Sequence, residues 1–191
     1  MERKEFLKRS ALTLSVAQLP LFGQSNAEKE KMGEPKESNS SPWAEAEFLK
    51  DYHILVANLL KNPAEMKLEG NWSFGKVLSH CAQSIEFSIQ GYPEMKSSLF
   101  RGSVGKIAFS VFAFKNKMNH GLEEPIPGAE EINNQIEWKL GAKRLIQAIE
   151  LFSKTTESSL RPHFAYGELT KEEYDLAHTL HIKNHMERLL H

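Results

Sequence analysis

A single cysteine, Cys81, stands in 191 residues, which excludes an intramolecular disulfide and any thiolate-rich zinc knuckle. Charge of neither sign is in excess: 24 Lys and Arg against 25 Asp and Glu leave a formal net charge of −1. Nucleic acid and anionic membrane surfaces are therefore not indicated as partners. Alternation of period two is nowhere sustained, so no extended sheet is expected. The chain has no Glu-x-x-His, Asp175-x-x-His178 being the nearest approach, which removes a ferritin-like di-iron site. One cysteine cannot supply the Cys-x-x-Cys-His of covalently bound haem. Nor is there a helix bearing the paired His and Glu of a zinc protease, whose Glu serves as general base. A bound metal must then be held by imidazole and carboxylate.

What is present begins with an N-terminus of three parts. Arg3, Lys4, Lys8 and Arg9 precede an apolar run from Ala11 to Phe22, and Ser25-Asn26-Ala27 follows with small residues. This is the grammar of a secretory signal, and the run is too short for a permanent membrane anchor. Residues 1–27 are therefore expected to be a signal peptide that sends the protein to the periplasm or the extracellular space. No membrane span is expected after processing. Arg3-Lys4-Glu5-Phe6-Leu7-Lys8 is close to the twin-arginine export motif, with Lys4 where the second arginine belongs. Residues 28–41, rich in Lys, Glu and Ser, read as a flexible tether. The folded domain is expected over 42–191.

That domain reads as helical throughout. Phe48, Tyr52, Leu55 and Leu59 fall on one helical stripe that stops before Pro63. Ser73 suits the N-cap of a second helix with Val77, Cys81, Ile85 and Ile89 inward, ending at Gly91 and Pro93. A third helix is expected over Leu99–His120 and a fourth over Ala129–Ser158, the latter with Trp138, Leu145, Ile149 and Phe152 as its stripe. Gly141 costs that helix about 1 kcal/mol relative to Ala. Thr170 and Glu173 form a capping box that opens a last helix running to the C-terminus. The fold class is all-α, a helical bundle.

Histidines carry the chemistry. His181 and His185 lie one turn apart on one face of the last helix. His80 sits in the second helix, and three neutral imidazoles meeting in a bundle interior would suit zinc or nickel with coordination positions open. His178 shares the face of His181 and His185. Seven residues along a helix is roughly 10 Å, too far for His178 and His185 to bind one ion. By spacing alone the pair is 178/181 or 181/185. Elsewhere, His53 is expected to be structural beside Tyr52, and His120, before Gly121, to occupy a helix C-terminus where the dipole favours it. His163 is placed in a loop, Cys81 in the core, Glu86 in solvent, and Trp72, Phe112 and Trp138 in the core.

Gly70-Asn71-Trp72-Ser73, His80, Gly91-Tyr92-Pro93, Phe164-Ala165-Tyr166-Gly167-Glu168-Leu169-Thr170, Glu173, His181 and His185 together resemble the DinB-like (YfiT-like) metal-binding four-helix bundles, in a branch of unknown function. The resemblance spans about Trp43–Leu190 and implies such a bundle with an additional helical segment. It implies that His80, His181 and His185 are the ligands of a divalent metal, zinc or nickel. His178 would then line the mouth of the pocket, where it could shuttle protons. Superfamily members of known activity are metal-dependent thiol transferases, or isomerases using a low-molecular-weight thiol. Export weighs toward water over an intracellular thiol. Two readings stand: a metal-dependent enzyme activating water or a thiol on a small-molecule substrate, and a non-catalytic metal-, ligand- or partner-binding module. A homodimer is the default assembly for such bundles.

Overall fold

The computed structural model describes residues 41–190. The signal peptide and tether expected over 1–27 and 28–41 lie outside the described residues as far as residue 40. Along the chain come α1 (Pro42–Glu45), α2 (Leu49–Lys61), β1 (Lys67–Leu68), α3 (Phe74–Gln90) and α4 (Ser98–Phe100). A π-helical turn (Arg101–Gly105) leads into α5 (Lys106–Lys115). Then follow α6 (Trp138–Lys154), a 3-10 turn (Glu157–Ser159), α7 (Lys171–Met186) and β2 (Leu189–Leu190). The all-α expectation holds in its coarse form, the described chain being mostly helical. Among the described residues no helix is long and apolar enough to cross a membrane.

Caps set the two helices that matter most. The Ser73 hydroxyl accepts the amide N–H of Lys76 at 3.1 Å and starts α3. Thr170 and Glu173 form the reciprocal capping box of α7, at 3.1 and 2.8 Å. Each exchange satisfies amide donors that a helix start leaves bare. Gly91, at φ +101°, ends α3 in a conformation that other residues rarely adopt.

Long helices pack pairwise: α3 on α6, α2 on α6, and α7 on both α3 and α2. Tyr52 and Val56 of α2, Leu78, Cys81 and Ile85 of α3, Leu145 of α6 and Ile182 of α7 are buried in the shared core. The α3–α6 contact is the closest. A Cβ on Gly141 would stand 2.5 Å from the Gly75 carbonyl oxygen and 2.9 Å from Ser79 Oγ, and one on Gly75 would collide with the Ile136 carbonyl. Two glycines thus let the backbones approach. Gly141, a cost to helix propensity, is a packing requirement here.

Three element boundaries differ from the sequence expectation. The third helix stops at Lys115, because Asn116 turns left-handed at φ +49°; His120 is in the following loop. Residues 129–137 are not helical. The Asn134 side chain accepts from the Ser73 amide at 2.7 Å and donates to the Asn71 carbonyl at 2.9 Å, and Asn133 Oδ1 accepts from Gln135 N at 2.8 Å. Such side-chain bonds compete with a helix's own ladder. Finally, α7 ends at Met186 and the chain pairs antiparallel with β1, Leu68 opposite Leu189 and Lys67 opposite Leu190. The very apolar stretch around α5 is largely on the surface: Ile107 is 66% and Phe114 81% exposed.

Candidate metal centre

His80 lies midway along α3, and His181 and His185 lie in the last turns of α7. Packing of α3 against α7 brings the three rings together. His181 Nε2 is 3.2 Å from His80 Nε2 and 3.1 Å from His185 Nε2. Each of the three residues offers a nitrogen within 4.8 Å of the others, a group that can hold a metal ion. Two nitrogens on one tetrahedral ion at about 2.0–2.1 Å stand roughly 3.3 Å apart, so the observed separations suit a shared ion. The spacing also has a bonding logic. A neutral imidazole nitrogen has either one in-plane lone pair or one proton, so His181 Nε2 satisfies one neighbour well and a central cation would satisfy all three.

The environment keeps these rings neutral. Burial pushes the His80 imidazole down to about 3, with the charges of His120 and Lys76 adding to the effect. Burial likewise takes His185 to about 2 and His181 well below its ordinary value. Lone pairs are therefore available for a cation across the neutral range. Trp72, partly buried against the core as expected, also packs on the site from the residue before the Ser73 cap. Its ring lies edge-on to His80 at 5.1 Å and stacks on His185 at 6.3 Å, centroid to centroid. Lys76 Nζ lies 4.7 Å above that indole.

A fourth imidazole stands beside the three. The His120 ring is 5.0 Å from that of His181 and 5.5 Å from that of His185. This overturns the expectation of a helix-terminal role. Its Nδ1 lies 2.8 Å from the Gly121 carbonyl oxygen, and because a carbonyl only accepts, the proton is on Nδ1. Nε2 then has a free lone pair, and it is buried with no partner among the described residues. The loop carrying it is moored by Glu123, which accepts from Asn71 N at 2.6 Å and Asn71 Nδ2 at 2.8 Å and lies 3.5 Å from Arg188 Nη1. Those hydrogen bonds from Asn71 hold the Glu123 carboxyl below its usual range.

A cavity of about 210 Å³ opens on the group. His80, His120 and His181 form one end, with His163, His178 and Tyr166 further along and Pro125, Ile126 and Pro127 as an apolar wall. His178 also lines this cavity. It is fully buried against Phe152 and stacked on Tyr174 at 5.4 Å, and its Nε2 has no partner among the described residues. Burial lowers it to about 3. His163, left in a loop by the sequence, reaches the same space.

The remaining candidates lie elsewhere. His53 bonds Glu150 at 3.1 Å across α2 and α6. Glu86, expected to be solvated, forms a two-point pair with Arg144 at 2.9 and 2.6 Å. Cys81 is buried in the core and its thiol is pushed well up by burial. His120 escaped sequence reasoning because its only signal was an imidazole in a Gly/Pro-rich loop.

Residues 49–191 match the model of a family described as "Protein of unknown function (DUF1569)". The chain belongs to that family. No curated protein and no solved structure matches it.

Proposed function

We propose that this protein is an exported, DinB-like four-helix-bundle metalloprotein in which His80, His181 and His185 hold zinc or nickel, and that it acts on a small molecule in the adjoining cavity. The observation that carries this reading is the convergence of three Nε2 atoms from helices 101 residues apart in sequence, at 3.1 and 3.2 Å. Such an ion supplies Lewis acidity that acidifies a bound water or thiol near neutral pH. Burial holds the three rings neutral, His120 supplies a further lone pair at the edge of the site, and Trp72 screens one side.

An enzyme is favoured over a non-catalytic module because two of the three ligands, His80 and His181, border a 210 Å³ cavity instead of closing into solid core. A purely structural site keeps four protein ligands and no open position. Export is supported by the basic, apolar and small-residue segments of 1–27. It favours water over an intracellular thiol as the activated group.

Elemental analysis of the full-length protein, purified beside His181→Ala, tests the proposal. Near-stoichiometric zinc or nickel in the wild type, absent from the variant, is expected. Wild type that carries neither ion after expression in zinc- and nickel-supplemented medium sinks the reading. Ester, amide and thiol-transfer substrates then separate enzyme from module.

A further inference from the structure

The far end of the cavity from the three-imidazole group is built around His163. The ring is nine-tenths buried, at 7% exposure. Its residue closes a tight turn by pairing with Gly167: His163 N donates to the Gly167 carbonyl at 2.8 Å, and Gly167 N returns the bond at 3.1 Å. Gly167 is left-handed at φ +78°, which the turn requires. Within that turn the amide N–H groups of Ala165 and Tyr166 donate to His163 Nδ1 at 3.1 and 3.2 Å.

Two donors on Nδ1 settle the tautomer. The nitrogen that accepts has no proton, so the neutral ring bears it on Nε2. The ring cannot turn to exchange the two nitrogens without stranding both amides. It is also stacked on Tyr166 at 4.2 Å with the planes 6° apart, and flanked by Tyr92 at 5.0 Å and Phe164 at 4.7 Å. Nε2–H is thus a donor of fixed direction on a residue lining the cavity. No hydrogen bond to it is made among the described residues, and unlike the fully buried, unpartnered Nε2 atoms of His120 and His178 it is not shut away from solvent, so an acceptor entering the cavity can reach it.

We propose that His163 Nε2–H is the anchoring donor for a carbonyl or carboxylate oxygen of the substrate, leaving the rest of that molecule directed at the His80 and His181 end. This assignment rests on the metalloprotein reading for what happens at the other end; the anchor itself does not. Lys96 also lines the cavity and adds a positive charge, which favours the carboxylate, while Glu124 opposes it. The cavity, about 210 Å³, lies below the usual range of drug-sized ligand pockets, so the ligand is small. An uncharged, locked donor binds an oxygen acceptor without gathering protons itself.

Benzoate, benzamide and ethylbenzene are the probes, titrated into full-length protein with and without zinc. The two-bond nitrogen–proton spectrum of the histidine rings reports on His163 directly. Benzoate, benzamide or both are expected to shift the His163 Nε2 signal and to bind at least tenfold more tightly than ethylbenzene. Benzoate alone would assign a carboxylate, and both would assign any carbonyl oxygen. His163→Phe, which keeps the stacking ring, is expected to lose at least tenfold in that binding. His163→Gln, whose amide can accept from the turn and donate to the cavity, is expected to stay within threefold of wild type. Zinc content should be the same in all three proteins, so a failed anchor and a failed metal site give different results. Should the oxygen-bearing probes bind no better than ethylbenzene, or bind His163→Phe as well as wild type, the anchor is wrong. Should His163→Phe unfold, the ring-nitrogen spectrum decides, since benzoate or benzamide bound without moving the His163 Nε2 signal overturns the assignment.

Discussion

The rings of His120 and His181 stand 5.0 Å apart, although one lies in a loop and the other in the final helix. His120 is outside the set whose nitrogens all approach within 4.8 Å, so it borders the proposed ion without belonging to the core triad. Its Nδ1–H bond to the Gly121 carbonyl is the kind of outer contact that orients an imidazole toward a metal site.

His120→Ala is accordingly expected to weaken metal retention by about 10–100-fold without abolishing it. His80→Ala, which removes one of the three converging nitrogens, should lose the ion altogether. Competition with a chromophoric chelator measures both. Equal retention in wild type and His120→Ala would assign the loop imidazole no part in the site.

Acid should unfold the metal-free protein early. Six imidazoles are held below their ordinary value, chiefly by burial: His80 and His178 near 3, His185 near 2, His163 and His181 well below, and His120 lowered. Unfolding frees them to protonate near 6.5, so below that pH the unfolded state takes up more protons. Their stabilisation is present above about 6.5 and is lost as pH falls toward 3, at about 1.4 kcal/mol per pH unit for each histidine. Melting temperature is expected to fall steeply between pH 6.5 and 5. Bound metal should be released in the same window, since protons compete for the same lone pairs. A melting temperature flat across that range would contradict neutral burial of these rings.

Gly141→Ala sets helix propensity against packing. Propensity alone favours Ala by about 1 kcal/mol. A Cβ 2.5 Å from the Gly75 carbonyl oxygen forces α3 and α6 apart, and overpacking of that kind costs about 1–3 kcal/mol. A net loss of stability is expected in chemical denaturation, together with weaker metal binding, because His80 rides on α3. A gain in stability would mean that the two helices yield easily.

Capping of α3 by Ser73 and of α7 by Thr170 and Glu173 was legible because each depends on residues three apart. That His178, His181 and His185 share one helix face was legible for the same reason, but spacing alone left the pair as 178/181 or 181/185, and the family resemblance chose the second. Adding His80 rested on the two helices being neighbours in a bundle, which no local rule gives, and on the resemblance between motifs. The stretch around α5 is very apolar, yet Ile107 and Phe114 are mostly exposed; hydrophobicity alone does not say which face finds a neighbour.

Local sequence was enough to determine the helical class, the starts of α3 and α7, and the face shared by His178, His181 and His185, because those depend on relations between near neighbours. Tertiary structure alone decided that His120 borders the site, that Trp72 covers it, and that His163 lines the cavity. These depend on where two loops lie, and the loops are moored by contacts no short-range pattern encodes: Glu123 to Asn71 for one, and the Lys96 amide to the Phe164 carbonyl for the other.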